Sequence, residues 1–474
     1  MKKLGVLLVM VCLTLKLFAQ QKNIEGNWLG TLDVGVKLRL VFHFTKATNG
    51  ILSGTMDSPD QGIKGIQCSS VIIKGDSVLA EVAVIKGNYS GLLISDSIIT
   101  GSWRQGQGAF ALTMKKVNEL PALNRPQTPK PPFNYNAEEV GYDNADKTVH
   151  LAGTFTYPKQ GGPFPTAILL TGSGQQDRDE TLFEHKPFAV IANALTKQGF
   201  AILRVDDRGT GKSTGDLLNA TSADFAKDVE AGLTYLRTRA EADKNKMGLI
   251  GHSEGGLIAA LVGAKNTTLN FIVMLAGPGT KGSLLLGDQA EGILKSQGIS
   301  AMAAQAYRSF YLQIINAAAN AKDTVAAYNM AWKNYQGWKK SSSQNIRAQI
   351  GYTDDEVSSK IIRGLIAQLS VPWIKYFIKS DPVNLIQQMQ AKVLALNGEK
   401  DLQVPAKQNL AGIKAALQKS KSKTYVTKEL AGLNHLFQTC KACTIAEYSQ
   451  LEETFSPMAL NEISSWLKAN VQDK

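Results

Sequence analysis

The stretch Gly248-Leu249-Ile250-Gly251-His252-Ser253-Glu254-Gly255-Gly256 decides the fold, because a short apolar run leads there into the pattern G-x-S-x-G. Residues 257–261 continue it with small and apolar side chains, which predicts a helix directly after the turn. A serine between a strand and a helix lies in a strained turn that lifts its hydroxyl clear of the sheet. Glycines flank it because the tight turn leaves no room for Cβ atoms. The stretch therefore predicts a nucleophile elbow with Ser253 at its apex.

A base must take the proton of the serine hydroxyl before the oxygen becomes a good nucleophile, and the chain has five histidines. His435 is the preferred candidate, because it lies on a loop after the strand-like run at residues 424–427. His185, at the start of a predicted helix, is the nearest alternative. The other three lie in early segments or within the elbow itself.

A carboxylate must fix the tautomer of the base and stabilise the imidazolium that forms. Residues 393–397 read as a buried strand, and Asp401 follows shortly after it. Asp401 is therefore expected at the carboxyl end of a strand, where the sites of open α/β sheets lie. Glu399, in the same turn, is the alternative.

Attack on a carbonyl creates an oxyanion, which needs two hydrogen-bond donors. One predicted donor is the backbone N–H of Glu254, the residue after the nucleophile. The second is expected from the glycine-rich loop after the strand predicted at residues 166–170, because such a turn lets several N–H groups face one point. Ser173 is preferred there, with Gly174 and Gln175 as alternatives.

Five motifs follow one another along the chain: GSGQQDRDE at 172–180, DDRGTGKSTG at 206–215, GHSEGG at 251–256, LNGEKDLQVP at 396–405 and GLNHLFQ at 432–438. Together they resemble the α/β-hydrolase superfamily, in particular the EstD-type bacterial esterases and the serine-aminopeptidase-like hydrolases. The order Ser253, Asp401, His435 is the order of nucleophile, acid and base in that superfamily. The resemblance implies ester hydrolysis through an acyl-serine. Thr171 departs from the commoner pattern, which has histidine before the first glycine of the oxyanion loop.

The predicted fold class is α/β, with an α/β-hydrolase domain at residues 136–474 that carries a helical cap and follows a small all-β, barrel-like domain. Strand-like runs alternate with helical stripes beyond residue 135, which predicts a mostly parallel sheet covered on both faces. The gap between the strand at 271–276 and the strand near Val393 is too long for a simple connection. Its helical periodicity predicts an inserted cap at about 280–390, over the active site.

The N-terminal part of the chain has a different pattern. Residues 22–118 alternate apolar and polar side chains between recurrent turn signals, which predicts an all-β meander, either a small barrel or a sandwich. Five prolines then mark a stiff linker over residues 119–135.

Residues 1–19 predict a secretory signal peptide, because Lys2-Lys3 precedes an apolar run at residues 4–15 that is too short for a convincing membrane span. The mature chain is therefore expected to be periplasmic or secreted by a bacterium, with no integral membrane segment. Cys440 and Cys443 form C-x-x-C just after His435, and an oxidising compartment favours a local disulfide between them. No second cysteine pair accompanies them, which argues against zinc.

The net charge of +12 is scattered and indicates no nucleic-acid footprint. Gly211-Lys212-Ser213 imitates the end of a P-loop, but Asp206 stands where the first glycine is required, so nucleotide binding is not predicted. The expected partner is a small-molecule ester, with no cofactor and no metal.

Two other functions stay open. A serine aminopeptidase-like peptidase or amidase would use the same triad and would need an acidic group for a free amino terminus, from Glu180, Glu184 or the cap. A non-catalytic protein would instead capture a glycan or lipid with its β domain. Turnover of acyl esters against aminoacyl amides separates the first two functions, and the oligomeric state stays open.

Overall fold

The computed structural model describes residues 23–34, 37–61, 63–106, 108–120 and 122–472, which fall into two compact units that meet between Ala122 and Leu123. The predicted signal peptide at residues 1–19 lies outside the described residues. In the part of the chain that is described, no single helix has both the length and the apolar composition to cross a bilayer. The consecutive helices Asp355–Leu369 and Pro372–Lys379 pass that test only as a pair, and a bend of 83° separates them.

The first unit is a curled antiparallel meander around an aromatic core. Trp28, Phe42, Tyr89 and Trp103 are buried on its inner face. Hydrogen bonding joins its strands in the order β4-β3-β2-β1-β9-β8-β7-β6-β5. Within the described residues the strands are β1 (Gly26–Asp33), β2 (Lys37–Lys46), β3 (Leu52–Ser58), β4 (Ile63–Gln67), β5 (Ser70–Lys74), β6 (Ser77–Val82), β7 (Gly87–Ser95), β8 (Ile98–Gln105) and β9 (Gly108–Val117).

The second unit is built on one twisted sheet that is mostly parallel. Its strand order is β10-β11-β13-β12-β14-β15-β16-β17, with antiparallel pairing only at β10–β11 and β11–β13 among the described residues. Its strands are β10 (Tyr135–Asp143), β11 (His150–Pro158), β12 (Phe164–Leu170), β13 (Ala201–Val205), β14 (Ala242–His252), β15 (Phe271–Leu275), β16 (Lys392–Gly398) and β17 (Tyr425–Leu430).

Helices cover both faces of this sheet. Successive residues of a strand point to opposite faces, so each strand contributes side chains to the layers on both sides. Ile168 belongs to a core that includes residues of α2 (Ser222–Leu236), α3 (Glu254–Gly263) and α11 (Ala406–Leu417), whereas Leu169 belongs to a second core with α1 (Pro187–Thr196) and α12 (Pro457–Asn470). The chain thus has two apolar layers around one buried sheet, and the predicted α/β-hydrolase fold class is confirmed.

The cap of the predicted fold is a run of helices between β15 and β16 with a core of its own. Phe310, Tyr335, Trp338 and Tyr352 pack together there. The helices are α4 (Gly282–Ser296), α5 (Ala301–Asn320), α6 (Thr324–Ser341), α7 (Gln344–Gln349), α8 (Asp355–Leu369), α9 (Pro372–Lys379) and α10 (Pro382–Ile386).

The carboxyl ends of the parallel strands lie side by side, which brings distant loops together. Gly251 pairs with both Leu170 and Met274, and Gly398 pairs with Leu430. The loops after β12, β14, β16 and β17 therefore leave the sheet at one edge. These loops carry Ser173, Ser253, Asp401 and His435.

The proline-rich segment before β10 is bonded to the second unit. Arg125 donates hydrogen bonds to the backbone carbonyl oxygens of Phe183, Ser449 and Leu451, at 2.7 to 3.1 Å. The side chain of Gln127 accepts from the backbone N–H of Thr454 and donates to the carbonyl of Phe455. Much of the segment predicted as a linker is thus held against the hydrolase unit from residue 123 onward.

Candidate active site

Ser253 sits at the apex of a strained turn between β14 and α3. Its backbone has φ 53° and ψ −118°, in the left-handed half of conformational space that costs a non-glycine residue roughly 1–3 kcal/mol. The glycines around it are required by close packing. A Cβ on Gly251 would lie 2.1 Å from the carbonyl oxygen of Gly255, and a Cβ on Gly255 would lie 2.2 Å from that of Leu170. Any larger residue would push α3 away from the sheet.

Ser253, His435 and Asp401 form one chain of hydrogen bonds. The Oγ of Ser253 lies 3.1 Å from Nε2 of His435, and Nδ1 of His435 lies 2.8 Å from Oδ2 of Asp401. A carboxylate can only accept, so Nδ1 carries the ring proton and Nε2 is left to accept from the serine hydroxyl. The three predicted residues are thus brought together in the arrangement that nucleophilic catalysis requires.

Asp401 is held by groups that fix both of its oxygens. Oδ1 accepts from the backbone N–H groups of Gln403 and Val404, each at 2.8 Å, and Oδ2 accepts from the side-chain amide of Asn397 at 3.2 Å. Glu399, the alternative acid, instead accepts from the N–H of Gly432 and pairs with Lys400 at the surface. Only Asp401 faces the candidate base.

The loop after β12 passes directly beside Ser253, the candidate nucleophile. A Cβ on Gly172 would lie 3.3 Å from Cβ of Ser253. In the described part of the protein, neither the N–H of Ser173 nor that of Glu254 donates to a protein acceptor. Both N–H groups are therefore available to an oxyanion. The N–H groups of Gly174 and Gln175 likewise donate to no protein acceptor among the described residues. The choice of Ser173 stays a prediction.

A buried ion pair joins this loop to the loop of the candidate base. Oε1 of Glu180 accepts from the N–H of Gly172 at 2.6 Å and faces Nδ1 of His252 at 2.9 Å. The other nitrogen of His252 donates to the backbone carbonyl of His435 at 3.0 Å. Burial lowers the pKa of His252, but the charge and hydrogen bond of Glu180 outweigh it and leave the pKa raised. Both ring nitrogens of His252 face oxygen acceptors, an arrangement that suits the doubly protonated ring and joins the two loops.

A second acid, Asp207, is largely enclosed and is bonded to both ends of the same loop. The hydroxyl of Thr171 donates to Oδ1 of Asp207 at 2.7 Å, and the N–H of Gln176 donates to Oδ2 at 3.1 Å. Burial raises the pKa of Asp207 to about 8. The threonine that departs from the commoner family pattern therefore has a clear structural task, which is to tie the start of the loop to β13's end.

Glu254 contributes a buried carboxyl group as well as a backbone N–H. Its Oε1 accepts from the hydroxyl of Ser222 at 2.5 Å and from the indole N–H of Trp373 at 2.6 Å. Burial raises the pKa of this carboxyl group. Trp373 belongs to α9 of the cap, so the residue after the nucleophile connects the elbow to the cap.

Two cavities open beside Ser253 and share Ser173, Ser253 and Gln403 in their walls. The larger has a volume of about 250 Å³ and lies between the elbow and the cap helices α4, α8 and α9. The smaller has a volume of about 90 Å³ and is lined by His435 and the Glu180–His252 pair.

His185 lines the smaller cavity together with His435, and Cys440 and Cys443 follow His435 in the sequence. His185 is buried between Thr454, the carbonyl of Tyr448 and Gln438, and burial together with the charge of Arg125 lowers its pKa to about 4. It does not contact Ser253. Cys440 and Cys443 are joined by a disulfide in the structure, with their Cα atoms 5.0 Å apart.

Several contacts at the site were not found by reading the sequence. Glu180 and Glu184 were candidates for binding a free amino terminus, but Glu180 bonds to His252 and Glu184 accepts from the N–H of Leu123. The pairing of Glu180 with His252 spans 72 positions and that of Glu254 with Trp373 spans 119. The one sequence signal for Glu180 is its position at the end of the motif GSGQQDRDE at 172–180.

Comparison with known proteins gives a curated relative and several structures. Esterase EstD of Thermotoga maritima is 27% identical over 199 residues, which are 41% of this chain and 47% of the relative. The chain thus spans about half the length of that curated relative. A Pyrococcus furiosus esterase, Pf2001, covers 75% of this chain and 99% of its own, with 15% identity and a TM-score of 0.42. Est1E of Butyrivibrio proteoclasticus covers 70% of this chain and 99% of its own, with 14% identity and a TM-score of 0.40.

A family model described as serine aminopeptidase, S33, matches residues 184–438, which is more than half of the 474-residue chain. The matched region begins in the loop before α1, which carries His185, and ends in the loop that carries His435. It includes the elbow, the cap and Asp401. The chain therefore belongs to the serine aminopeptidase S33 family of α/β hydrolases.

Proposed function

We propose that the protein is a serine hydrolase that cleaves carboxylic esters of short or medium acyl chains through an acyl-serine at Ser253. The observation that carries the proposal is the continuous contact from Ser253 through His435 to Asp401, built on a strained elbow. The similarity to Esterase EstD supports the ester as the bond that is cleaved.

The geometry suits a two-step acyl transfer. Nε2 of His435 takes the proton of Ser253 as Oγ attacks the ester carbonyl, and Asp401 stabilises the imidazolium. The N–H groups of Glu254 and Ser173 stabilise the oxyanion. His435 then returns the proton to the departing alcohol. Water attacks the acyl-serine with the same base, and the acid leaves with Ser253 regenerated.

Activity-based labelling tests this function. A fluorophosphonate should label the protein, and Ser253→Ala should abolish both labelling and the hydrolysis of methyl butyrate while the protein stays folded. Ser296→Ala, which changes an exposed serine on α4, is the matched control and should behave as the wild type. Unchanged labelling of the Ser253→Ala protein would remove Ser253 as the nucleophile.

An aminopeptidase or amidase with the same triad is the second candidate, favoured by one observation. Among the described residues, Glu254 supplies the one carboxylate in the wall of the larger cavity, and a free amino group of a substrate would need such a partner. Against it, this carboxyl group already accepts from Ser222 and Trp373. Alanine p-nitroanilide hydrolysed faster than methyl butyrate, in a Ser253-dependent manner, would favour the amidase. Turnover of either substrate would exclude a protein that only binds a glycan or lipid.

We also propose that the protein is exported to the periplasm or secreted. The signal-like residues 1–19 and the Cys440–Cys443 disulfide support this location. Cell fractionation and N-terminal sequencing of the recovered protein test it, and a protein retained in the cytosol with Met1 intact would contradict it.

A further inference from the structure

The two cavities beside Ser253 differ in their position relative to the candidate base. His435 lines the smaller cavity and is absent from the wall of the larger one. In acyl transfer, Nε2 of the base must hand its proton to the oxygen of the departing alcohol, so the alcohol has to lie on the side of His435. The acyl chain, on the other side of the carbonyl carbon, then points into the remaining cavity.

The walls of the larger cavity match an uncharged acyl chain. Leu285, Leu286, Leu369, Ile374 and Phe377 supply apolar surface, and no lysine, arginine or histidine lines it. Its only carboxyl group is that of Glu254, whose partners are neutral donors. A carboxylate on the acyl chain would therefore enter a buried space whose described wall offers no cation to pair with it, which is costly.

The smaller cavity has the lower volume, and its wall carries more ionisable side chains than that of the larger cavity. Gln176, His185, Glu180 and Thr454 line it together with Leu182. A cavity of this volume suits a short alcohol, since a long alkyl chain would exceed the space that it offers.

We infer that the ester binds with its acyl chain in the larger cavity beneath the cap and its alcohol in the smaller cavity beside His435, so that the preferred substrates are esters of uncharged, medium-length acids with small alcohols. This inference rests on the proposed function, because it assigns the two halves of an ester that Ser253 attacks.

A crossed substrate panel tests the assignment. Gln289→Trp narrows the larger cavity from α4, and Leu182→Trp narrows the smaller one. Gln289→Trp should lower kcat/KM for methyl octanoate relative to methyl acetate by about tenfold or more, with butyl butyrate and methyl butyrate affected equally. Leu182→Trp should do the reverse, lowering butyl butyrate relative to methyl butyrate. Leu284→Trp, at an exposed position of α4, is the matched control and should change neither ratio.

Charge gives an independent arm of the same test. Wild-type protein should hydrolyse monomethyl succinate at least about tenfold more slowly than methyl butyrate, because the succinate carboxylate would enter the larger cavity. Equal rates for these two esters would contradict the predicted preference for uncharged acids.

The outcomes separate the assignment from the function on which it rests. If wild-type protein hydrolyses no ester and a fluorophosphonate does not label Ser253, the proposed function fails. If esters are hydrolysed but the two tryptophan variants act on the opposite series, or on both series equally, the assignment is overturned. Should either tryptophan variant lose its labelling, Ile374→Ala and Leu182→Ala carry the test by enlarging the cavities, with faster turnover expected for longer acids and larger alcohols respectively.

Discussion

At the scale of single residues, the two oxygens of Asp401 have separate tasks. Oδ1 is occupied by the N–H groups of Gln403 and Val404, whereas Oδ2 faces His435. Asp401→Asn can keep the first set of bonds while it turns its amide towards Nδ1 of His435. The ring proton would then move to Nε2, which could no longer accept from Ser253.

We therefore expect Asp401→Asn to lower kcat by about 10⁴-fold with little loss of stability. Glu399→Gln, in the same turn but at the surface, should leave kcat within about twofold of wild type, because exposed ion pairs contribute little. Steady-state kinetics and thermal unfolding of the two variants decide the matter, and similar, small effects would place the acid elsewhere.

The Glu180–His252 pair contacts Gly172 and the carbonyl of His435, so we expect it to act as a positioning pair for the proposed catalytic groups. Glu180→Gln should lower kcat/KM by up to about 10²-fold, because both the oxyanion loop and the carbonyl of His435 lose their common anchor. Glu184→Gln, a nearby exposed acid bonded only to Leu123, is the control and should have no effect.

A pH profile distinguishes this positioning role from general damage to the fold. The pKa of His252 is raised in the folded protein, so the ion pair stabilises the site at low pH and is lost as the pH rises through that pKa. Wild-type kcat/KM should thus carry a descending alkaline limb from His252, and Glu180→Gln should move this limb to lower pH. A profile that only shrinks in height would indicate a structural role alone.

The sequence predicts the three residues of the candidate triad, which the structure places in contact, but it does not predict the groups that support them. Ser253 is marked by flanking glycines, and Asp401 and His435 each follow a strand-like run, so local patterns suffice to place them at one edge of a sheet. The partners of Glu180 and Glu254 depend on side chains far along the chain. Local patterns carry no information about which buried acid will meet which donor.

At the scale of elements, the loop that carries His435 is closed at its neck, where residues 432–433 pair with residues 439–440. The N–H of Cys440 donates to the carbonyl of Gly432 at 3.2 Å, and Leu433 pairs with Thr439 across the same neck. The disulfide to Cys443 follows immediately, and Glu447 accepts from the backbone N–H groups of residues 441–443. The disulfide therefore stabilises the neck of the loop rather than the side chain of His435 itself.

We expect Cys440→Ser with Cys443→Ser to lower the free energy of unfolding by no more than about 2 kcal/mol, because the closed loop is short. Labelling of Ser253 should persist, with kcat/KM reduced only modestly. Differential calorimetry and labelling check this result. Mass spectrometry of an alkylated, unreduced digest should find the two cysteines linked in the wild type, and alkylation of both would refute the bond.

At the scale of the whole molecule, the second unit carries every residue of the candidate site and begins at Leu123. A protein that starts at Leu123 should keep Ser253 labelling and hydrolysis of methyl butyrate, since its sheet has cores on both faces. A folded Leu123 truncation without activity would mean that the first unit completes the site.

A protein that starts at Tyr135 should be less stable than one that starts at Leu123. It would lose the bonds from Arg125 to three backbone carbonyls, which is roughly 3 kcal/mol at about 1 kcal/mol for each hydrogen bond. Thermal unfolding of the two truncated proteins measures the difference, and equal melting temperatures would show that the proline-rich segment contributes nothing.

The hydrogen bond between Trp373 and Glu254 gives the enzyme an intrinsic fluorescent reporter beside Ser253. The chain has six tryptophans, and Trp373 is the one whose indole lines the larger cavity beside Ser253. Its emission responds to the electric field of the adjoining carboxyl group, so the difference in fluorescence between wild type and Trp373→Phe isolates a signal from the elbow. Followed in a stopped-flow instrument, that signal would time the arrival and departure of each acyl group without any dye.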